Sequence, residues 1–425
     1  MKILWIKTEL LHPVDKGGKI RTYEMLKHLK CDHQITYLTL DDGTASSDAR
    51  EKAKEYCHEL VTIPHRTHAK FSPGFYTELL KNLFSQLPYA VKKYESAEMR
   101  REILQRVKQD KPDVVVCDFL TPSINLPEQL GCATVLFQHN VEAMIWKRHY
   151  ETQTNPLKRL YLFGQWKKMR SLEKSECRRY NHVIAVSRED SEMMRDDYGI
   201  DAVTDVPTGV DTDFFRPKGG AQVEPASLVF TGSMDWLPNV DAINWFCGEI
   251  LPLIRAQIPN VKLTVVGRKP GNELLELSKR NPSIVVTGRV DDVRPFMEKA
   301  AAYIVPIRIG GGTRLKIYEA LAMEKPLIST TVGAEGLPVR DGAELLIADS
   351  PRAFADAVIK VLANESLARE LGKRAAATVR EKFGWSRVAG SFAEICQNVC
   401  RENMSKERSV AVSTNGAAWQ PGLSG

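Results

Sequence analysis

Short apolar runs alternate with longer amphipathic ones from the first residue onward, and this alternation constrains the fold more than any other feature. A brief apolar run followed by a helical stretch, repeated many times, is the pattern of parallel sheets covered by helices. In the first half the strand candidates are residues 2–6, 35–40, 114–117, 134–137 and 183–186, with a strongly helical stretch over 161–180. In the second half they are "SLVFTGS", "VKLTVVG", "SIVVTG", "AAYIVP", "PLIST" and "ELLIA". Three of these runs close on Gly232, Gly267 and Gly288. A glycine at the carboxyl end of a parallel strand lets a ligand approach the backbone, and that edge is where doubly wound sheets bind ligands. The second half is therefore expected to hold the nucleotide.

A chain of 425 residues is too long for one core and fits two domains of roughly 200 residues each. The stretch "VPTGVDTDFFRPKGG" lacks helical or strand periodicity, so a linker is placed at 207–220 between domains at 1–206 and 221–385. A helix over 386–404 is expected to pack back on the first domain, and 405–425 to be a disordered tail. The balance of 59 basic to 53 acidic residues is too even for a nucleic-acid binder. Eight scattered cysteines form no Cys-x-x-Cys pair, which argues for reduced thiols, a cytoplasmic setting and no zinc site. The opening "MKILWIKTEL" has too short an apolar run for a signal peptide, and no stretch approaches the roughly 20 apolar residues of a membrane span.

"IRIGGGTRLKIYEALA" over 307–322 places three glycines before Thr313, Arg314, Lys316 and Glu319. It reads as strand, glycine turn and helix. A helix start offers unpaired N–H groups and the positive end of the dipole, a ready anion site to which Gly311, Gly312 and Thr313 would contribute. Arg314 and Lys316 lie about 200° apart around a helix, so both reach one anion only over the first turn, where a diphosphate is large enough. Lys316 and Glu319 share a face, which would bring the carboxylate to a neighbouring hydroxylated group such as a ribose. The spacing is neither a Walker loop nor a dinucleotide fingerprint, and an exposed glycine turn with a surface ion pair is the plainer alternative.

Several ordered segments together carry a resemblance: "DKGGKIRTYEMLKHL" (15–29), "HNVE" (139–142), "AVSRED" (185–190), "PTGVDTDFF" (207–215) and "EALAMEKPLISTTVGAEGL" (319–337). The chain resembles the retaining GT-B glycosyltransferases of the group 1 or family 4 type, and among them the sugar transferases associated with exopolysaccharide synthesis. The resemblance implies two Rossmann-like, doubly wound parallel-sheet domains facing across a cleft. It implies transfer of a sugar from a nucleoside diphosphate to a saccharide or lipid-linked saccharide, with no metal or other cofactor. It also assigns Gly17 and Gly18 to a loop facing the donor, His139 to the transferred sugar, Gly288, Arg289 and Val290 to the nucleobase, and Glu319 to the ribose.

The chain departs from the family in two places. The first of two glutamates usually eight positions apart falls on Gly311, and the usual arginine and lysine at the start of the second domain are absent from "TGSMDWLPNVDA", which begins beside Gly232. Arg314 and Lys316 are the replacements expected to neutralise the leaving diphosphate. The missing glutamate also leaves room for another reading, a nucleotide-sugar-binding scaffold subunit with weak catalysis. Lys19 and Arg21 are candidates for contact with donor or acceptor, while Trp236 and Asn239 read as capping and stapling the next helix. Leu157, Leu160, Tyr161, Phe163, Trp166 and Met169 interleave with Lys158, Arg159, Lys167, Lys168 and Arg170. Such a helix either covers its own sheet or lies on an anionic membrane, which would place the protein peripherally on the inner face of the plasma membrane.

Overall fold

The computed structural model describes residues 1–220, 222–309, 315–337 and 339–416. The chain divides into two compact units, Met1–Pro207 with Ala389–Gly425, and Thr208–Val388.

In the first unit seven parallel strands form one sheet: β1 (Lys2–Lys7), β2 (Gln34–Asp41), β3 (Glu59–Pro64), β4 (Val114–Asp118), β5 (Ala133–Phe137), β6 (His182–Ala185) and β7 (Val203–Asp205), in the order β3-β2-β1-β4-β5-β6-β7. The central strands read as unbroken apolar runs because helices cover both faces, and Trp5, Ile6, Val116, Phe137 and Ile184 are fully buried. The edge strands β3 and β7 escape a hydropathy reading. Leu60, Val61 and Thr62 are only half-buried, and β7 has three residues, so neither makes an apolar run. The helices that matter below are α1 (Gly17–Leu29), α2 (Pro73–Leu83), α3 (Glu142–Thr152) and α4 (Pro156–Arg179). Sequence sets two of their starts: Ser72 accepts from Phe75 N and Asn155 from Lys158 N, each followed by a proline in the first turn. In α4 Met169 and Trp166 join a small core with Leu120 and Ala143, whereas Leu157 and Leu160 stay exposed.

The second unit holds six parallel strands, β8 (Glu224–Thr231), β9 (Lys262–Val266), β10 (Ile284–Gly288), β11 (Ala300–Val305), β12 (Leu327–Ser329) and β13 (Leu346–Ile347), in the order β10-β9-β8-β11-β12-β13. Alternation along β8 sends Leu228 and Phe230 into one core and Val229 into another on the opposite face. Two helices frame the ligand edge of this sheet, α5 (Leu237–Trp245) and α6 (Leu315–Ala322).

Segment 208–220, read from sequence as a linker, is tied to the second unit. Val210 N donates to Phe383 O at 2.8 Å, the Arg294 guanidinium lies 3.5 Å from the Phe214 ring centroid, and Lys218 N donates to Glu298. The final helix, α7 (Trp385–Gly416), passes from the second unit into the first, where Phe392 packs on Trp5 and Phe137 with centroids 5.5 and 5.1 Å apart. It runs beyond the expected end at 404, through residues read as a disordered tail. Lys406, Glu407 and Arg408 are good helix formers, and no glycine or proline interrupts the run before Gly416.

Candidate functional site

Both sheets reverse their strand order once, between β1 and β4 in the first unit and between β8 and β11 in the second. Such switch points open crevices at the carboxyl ends of strands. The residues that carry chemistry cluster at each of them.

At the first switch point, register builds the site. Ile6 pairs with Cys117 and Asp118 with Phe137, so the next residue of β1, Lys7, stands beside Asp118 at the end of β4. Asp118 is fully buried and ringed by donors: Trp5 Nε1 at 2.9 Å, Thr22 Oγ1 at 2.6 Å, Lys7 Nζ at 3.0 Å and His139 Nε2 at 2.7 Å. Burial alone would raise the Asp118 pKa, but the charge of Lys7 and the neighbouring His139 outweigh it and hold the carboxyl well below its usual range. The same burial lowers the Lys7 pKa, opposed by the attraction of Asp118.

His139 sits two residues past β5, its ring stacked on Phe119 with centroids 3.9 Å apart. Burial drives its pKa down to about 3, with Asp118 opposing only in part, so the imidazole is neutral at physiological pH. Nε2 lies at ion-pair distance from Asp118 but, like Nδ1 and Asp118 Oδ1, has no partner of hydrogen-bond geometry, so with the ring proton placed on Nε2 the buried Nδ1 is left as a lone-pair acceptor. A Cβ on Gly18 would lie 3.0 Å from Phe119 Cζ and 3.9 Å from this Nδ1, so the first turn of α1 approaches the imidazole only because residue 18 has no side chain.

Gly17 and Gly18 thus lie inside the first turn of α1 and not in a loop ahead of it. Arg21 Nη1 donates to the His139 carbonyl at 3.5 Å, and Lys19 Nζ lies 3.6 Å from Glu9. The His139 loop is fixed from behind by Glu173 of α4, whose buried carboxylate accepts from Gln138 Nε2 (3.0 Å), Glu142 N (2.8 Å), Ala143 N (3.0 Å) and the Tyr198 hydroxyl (2.7 Å). It caps α3 as a helix-terminal anion would. Burial pushes Glu173 and Glu142 each up to about 7, the charge of Glu173 adding to the shift of Glu142.

The second unit assembles Gly232, Lys316 and Glu319. Lys316 Nζ donates to Asn239 Oδ1 at 2.8 Å and lies 4.1 Å from the Phe230 ring centroid. A Cβ on Gly232 would come within 2.7 Å of both Lys316 Nζ and Asn239 Nδ2, so glycine is what admits the ammonium to the end of β8. Asn239 in turn donates to Ser233 O at 2.8 Å, and Arg268 Nε donates to Ser233 Oγ at 2.8 Å. Burial raises the Glu319 pKa to about 7, with Lys316 pulling it down. Gly288 closes β10, and its carbonyl accepts from Gly267 N at 3.2 Å. Arg289 is exposed, while Val290 packs partly buried against the core that includes Ile317. Gly311, Gly312, Thr313 and Arg314 lie outside the described residues.

Sequence reading passed over Lys7, Asp118 and Glu173, and gave Asn239 a capping role where the structure makes it the partner of Lys316. The signal for the first two was present: each is a charged residue closing an otherwise apolar buried strand, "ILWIK" and "VVVCD".

Among relatives, an uncharacterised 44.6 kDa protein in the cps region of Klebsiella pneumoniae is 22% identical over 402 residues, covering 92% of this chain and 98% of that one. Sucrose-phosphate synthase from Thermosynechococcus elongatus superposes with a TM-score of 0.67 at 18% identity, covering 94% and 98% of the two chains. HepE of Anabaena, solved in complex with UDP, superposes with a TM-score of 0.66 at 12% identity over 94% and 100%. These likenesses give the GT-B fold. Residues 16–214 match Glycosyltransferase Family 4 and residues 225–364 match Glycosyl transferases group 1, so that most of its length is accounted for and the chain belongs to the GT-B glycosyltransferases of these two related families.

Proposed function

We propose that the chain moves a sugar from a nucleoside diphosphate to a saccharide or lipid-linked saccharide with retention of configuration, in the synthesis of a bacterial polysaccharide. The observation that carries the reading is the Lys316 ammonium held by Asn239 against Gly232 at the β8–β11 switch point, with Glu319 on the same helix. Lys316, joined by Arg314, takes the growing charge of the departing diphosphate, so that the cations act on the transition state and no metal ion is needed. Glu319 accepts from the ribose hydroxyls. HepE, which shares the fold, is solved with UDP, and the relative in the cps region supports a role in polysaccharide assembly.

At the first switch point, retention is supported by the weakness of two groups as bases. Asp118 accepts from Trp5 and Thr22 and is paired with Lys7, and His139 is too weak a base to take a proton near pH 7. The acceptor hydroxyl then attacks C1 on the face from which the phosphate leaves. Its proton passes to the phosphate oxygen as the C1–O bond breaks, while His139 Nδ1 accepts a hydrogen bond from a sugar hydroxyl.

Incubation with a panel of nucleotide sugars, followed by assay of released nucleoside diphosphate and NMR of the product anomer, tests the reading. Slow release from one donor and a product with the donor's anomeric configuration are expected. A chain that binds donors and never releases diphosphate is instead a scaffold subunit, as the glycine at position 311 would suit. An inverted product would overturn the proposed mechanism.

A further inference from the structure

The first unit also presents an apolar surface for which the transfer chemistry has no use. Along α2, Tyr76, Leu80 and Leu83 follow the i, i+4, i+7 spacing of one helix face, and each is more than half exposed. Phe71 and Phe84, just outside the helix, are 77% and 89% exposed. A helix in a globular domain ordinarily turns such a stripe inward. Here the inward face carries half-buried Phe75 and Leu79 and a polar residue at its most buried position: Asn82 accepts from Gln165 Nε2 of α4 at 2.9 Å, while Lys168 Nζ donates to its carbonyl at 2.7 Å. The end of α2 therefore rests on α4. Leu157 lies about 20° around α4 from Lys168 and some three turns nearer the helix start. Leu157 and Leu160, at 80% and 69% exposure, extend the apolar surface from α2 onto α4.

Charge on this surface is mainly positive. Residues 65–93 contain five lysines and arginines and one acid, Glu78, and residues 152–172 contain five and no acid, in a chain that is nearly balanced overall. The cations lie over aromatic faces: Lys167 Nζ is 4.8 Å from the Trp166 centroid, and the Arg159 guanidinium is 5.1 Å from that of Tyr150. Cations set beside aromatic rings suit a boundary between hydrocarbon and phosphate. A second copy of the chain is a poor occupant, because two faces of the same charge would meet and lysine is depleted in protein interfaces. No helix among the described residues is long and apolar enough to cross a membrane, so a lipid partner would be met from one side.

We infer that α2 and the first half of α4 dock on an anionic lipid bilayer. The leucines and phenylalanines enter the boundary between headgroups and acyl chains, and the lysines and arginines meet lipid phosphates. The inference is independent of the transferase reading, since docking is measured with no sugar donor or acceptor.

Sedimentation of the full chain with vesicles tests it. Binding is expected with phosphatidylcholine vesicles containing phosphatidylglycerol and not with phosphatidylcholine alone, and it should fall as salt rises. The pair Lys158→Gln and Arg159→Gln should weaken it about thirtyfold, each cation near an anionic surface contributing a factor of about five. Leu80→Ser with Phe84→Ser should weaken it at least about tenfold, with circular dichroism and thermal unfolding unchanged because both side chains are exposed. Binding that ignores the Leu80 and Phe84 changes, or no binding to phosphatidylglycerol vesicles, would overturn the inference. So would a dimer in sedimentation velocity that Phe84→Ser abolishes, since the surface would then join two copies.

Discussion

Two charged clusters occupy equivalent places, each at the switch point of a parallel sheet, and they are built in opposite ways. Around Asp118 every charge is buried and answered from within the unit, by Lys7, by two neutral donors and by a neutral imidazole. Around Lys316 the ammonium is half-buried and held by a neutral amide, and Glu319 carries a carboxyl that burial pushes up to about 7. A compensated cluster in low dielectric fixes geometry, because any change in it leaves an unanswered buried charge. A half-buried ammonium one helical turn from a raised carboxyl is instead open to solvent on one side. Under the function proposed above, the first cluster would fix position and the second would meet charge.

Breaking the first cluster should damage the fold most. Asp118→Ala leaves Lys7 buried without its counter-charge and is expected to lower unfolding stability by about 3–5 kcal/mol in urea titrations. A loss below about 1 kcal/mol would mean that the cluster is not what anchors β1 to β4. In the second cluster Lys316→Ala should leave stability close to wild type and reduce kcat by more than about a hundredfold, near 3 kcal/mol of activation, with a smaller effect on donor affinity. Equal losses in affinity and turnover would show that Lys316 serves only the bound ground state, and the contrast between clusters would narrow.

The pH dependence of stability sharpens the comparison. The folded-state pKa of His139, about 3, lies below its unfolded value near 6.5, so the unfolded chain takes up the proton first. Stability from this residue is intact above about pH 6.5 and declines as pH falls toward about 3, by up to about 1.4 kcal/mol per pH unit. His139→Gln should therefore lose less stability than wild type over that window. Parallel profiles would mean that the ring titrates normally and is not sealed against Phe119.

The smallest expected effect belongs to Glu319. If its carboxylate receives the ribose hydroxyls, affinity for UDP-glucose or GDP-mannose should rise about tenfold between about pH 6 and pH 8, as a group with a pKa near 7 ionises. Glu319→Gln should flatten that rise and weaken discrimination between ribose and 2-deoxyribose nucleotides. Calorimetry that finds the same slope in the variant would detach Glu319 from the ribose.

The sequence alone determined most of the architecture, for a physical reason: strands packed in a helix-covered parallel sheet are largely apolar, so β1, β2, β4, β5, β6 and β8 to β13 appear as runs that polar residues bound. It determined equally the positions whose chemistry is local, such as Lys316 with Glu319 one helical turn apart. Only the tertiary structure could decide what those groups meet. Lys7, Asp118 and His139 are more than a hundred residues apart from first to second and join because β1, β4 and β5 are neighbours in that register, which no spacing in the chain records. Asn239 becomes the partner of Lys316 through the same kind of contact, across 77 positions. The apolar stripe of Tyr76, Leu80 and Leu83 on α2 has the periodicity of any core helix, and only the packing of Asn82 against α4 turns it outward. Local pattern specifies which elements form, whereas partners and exposure belong to the packing that brings distant elements together.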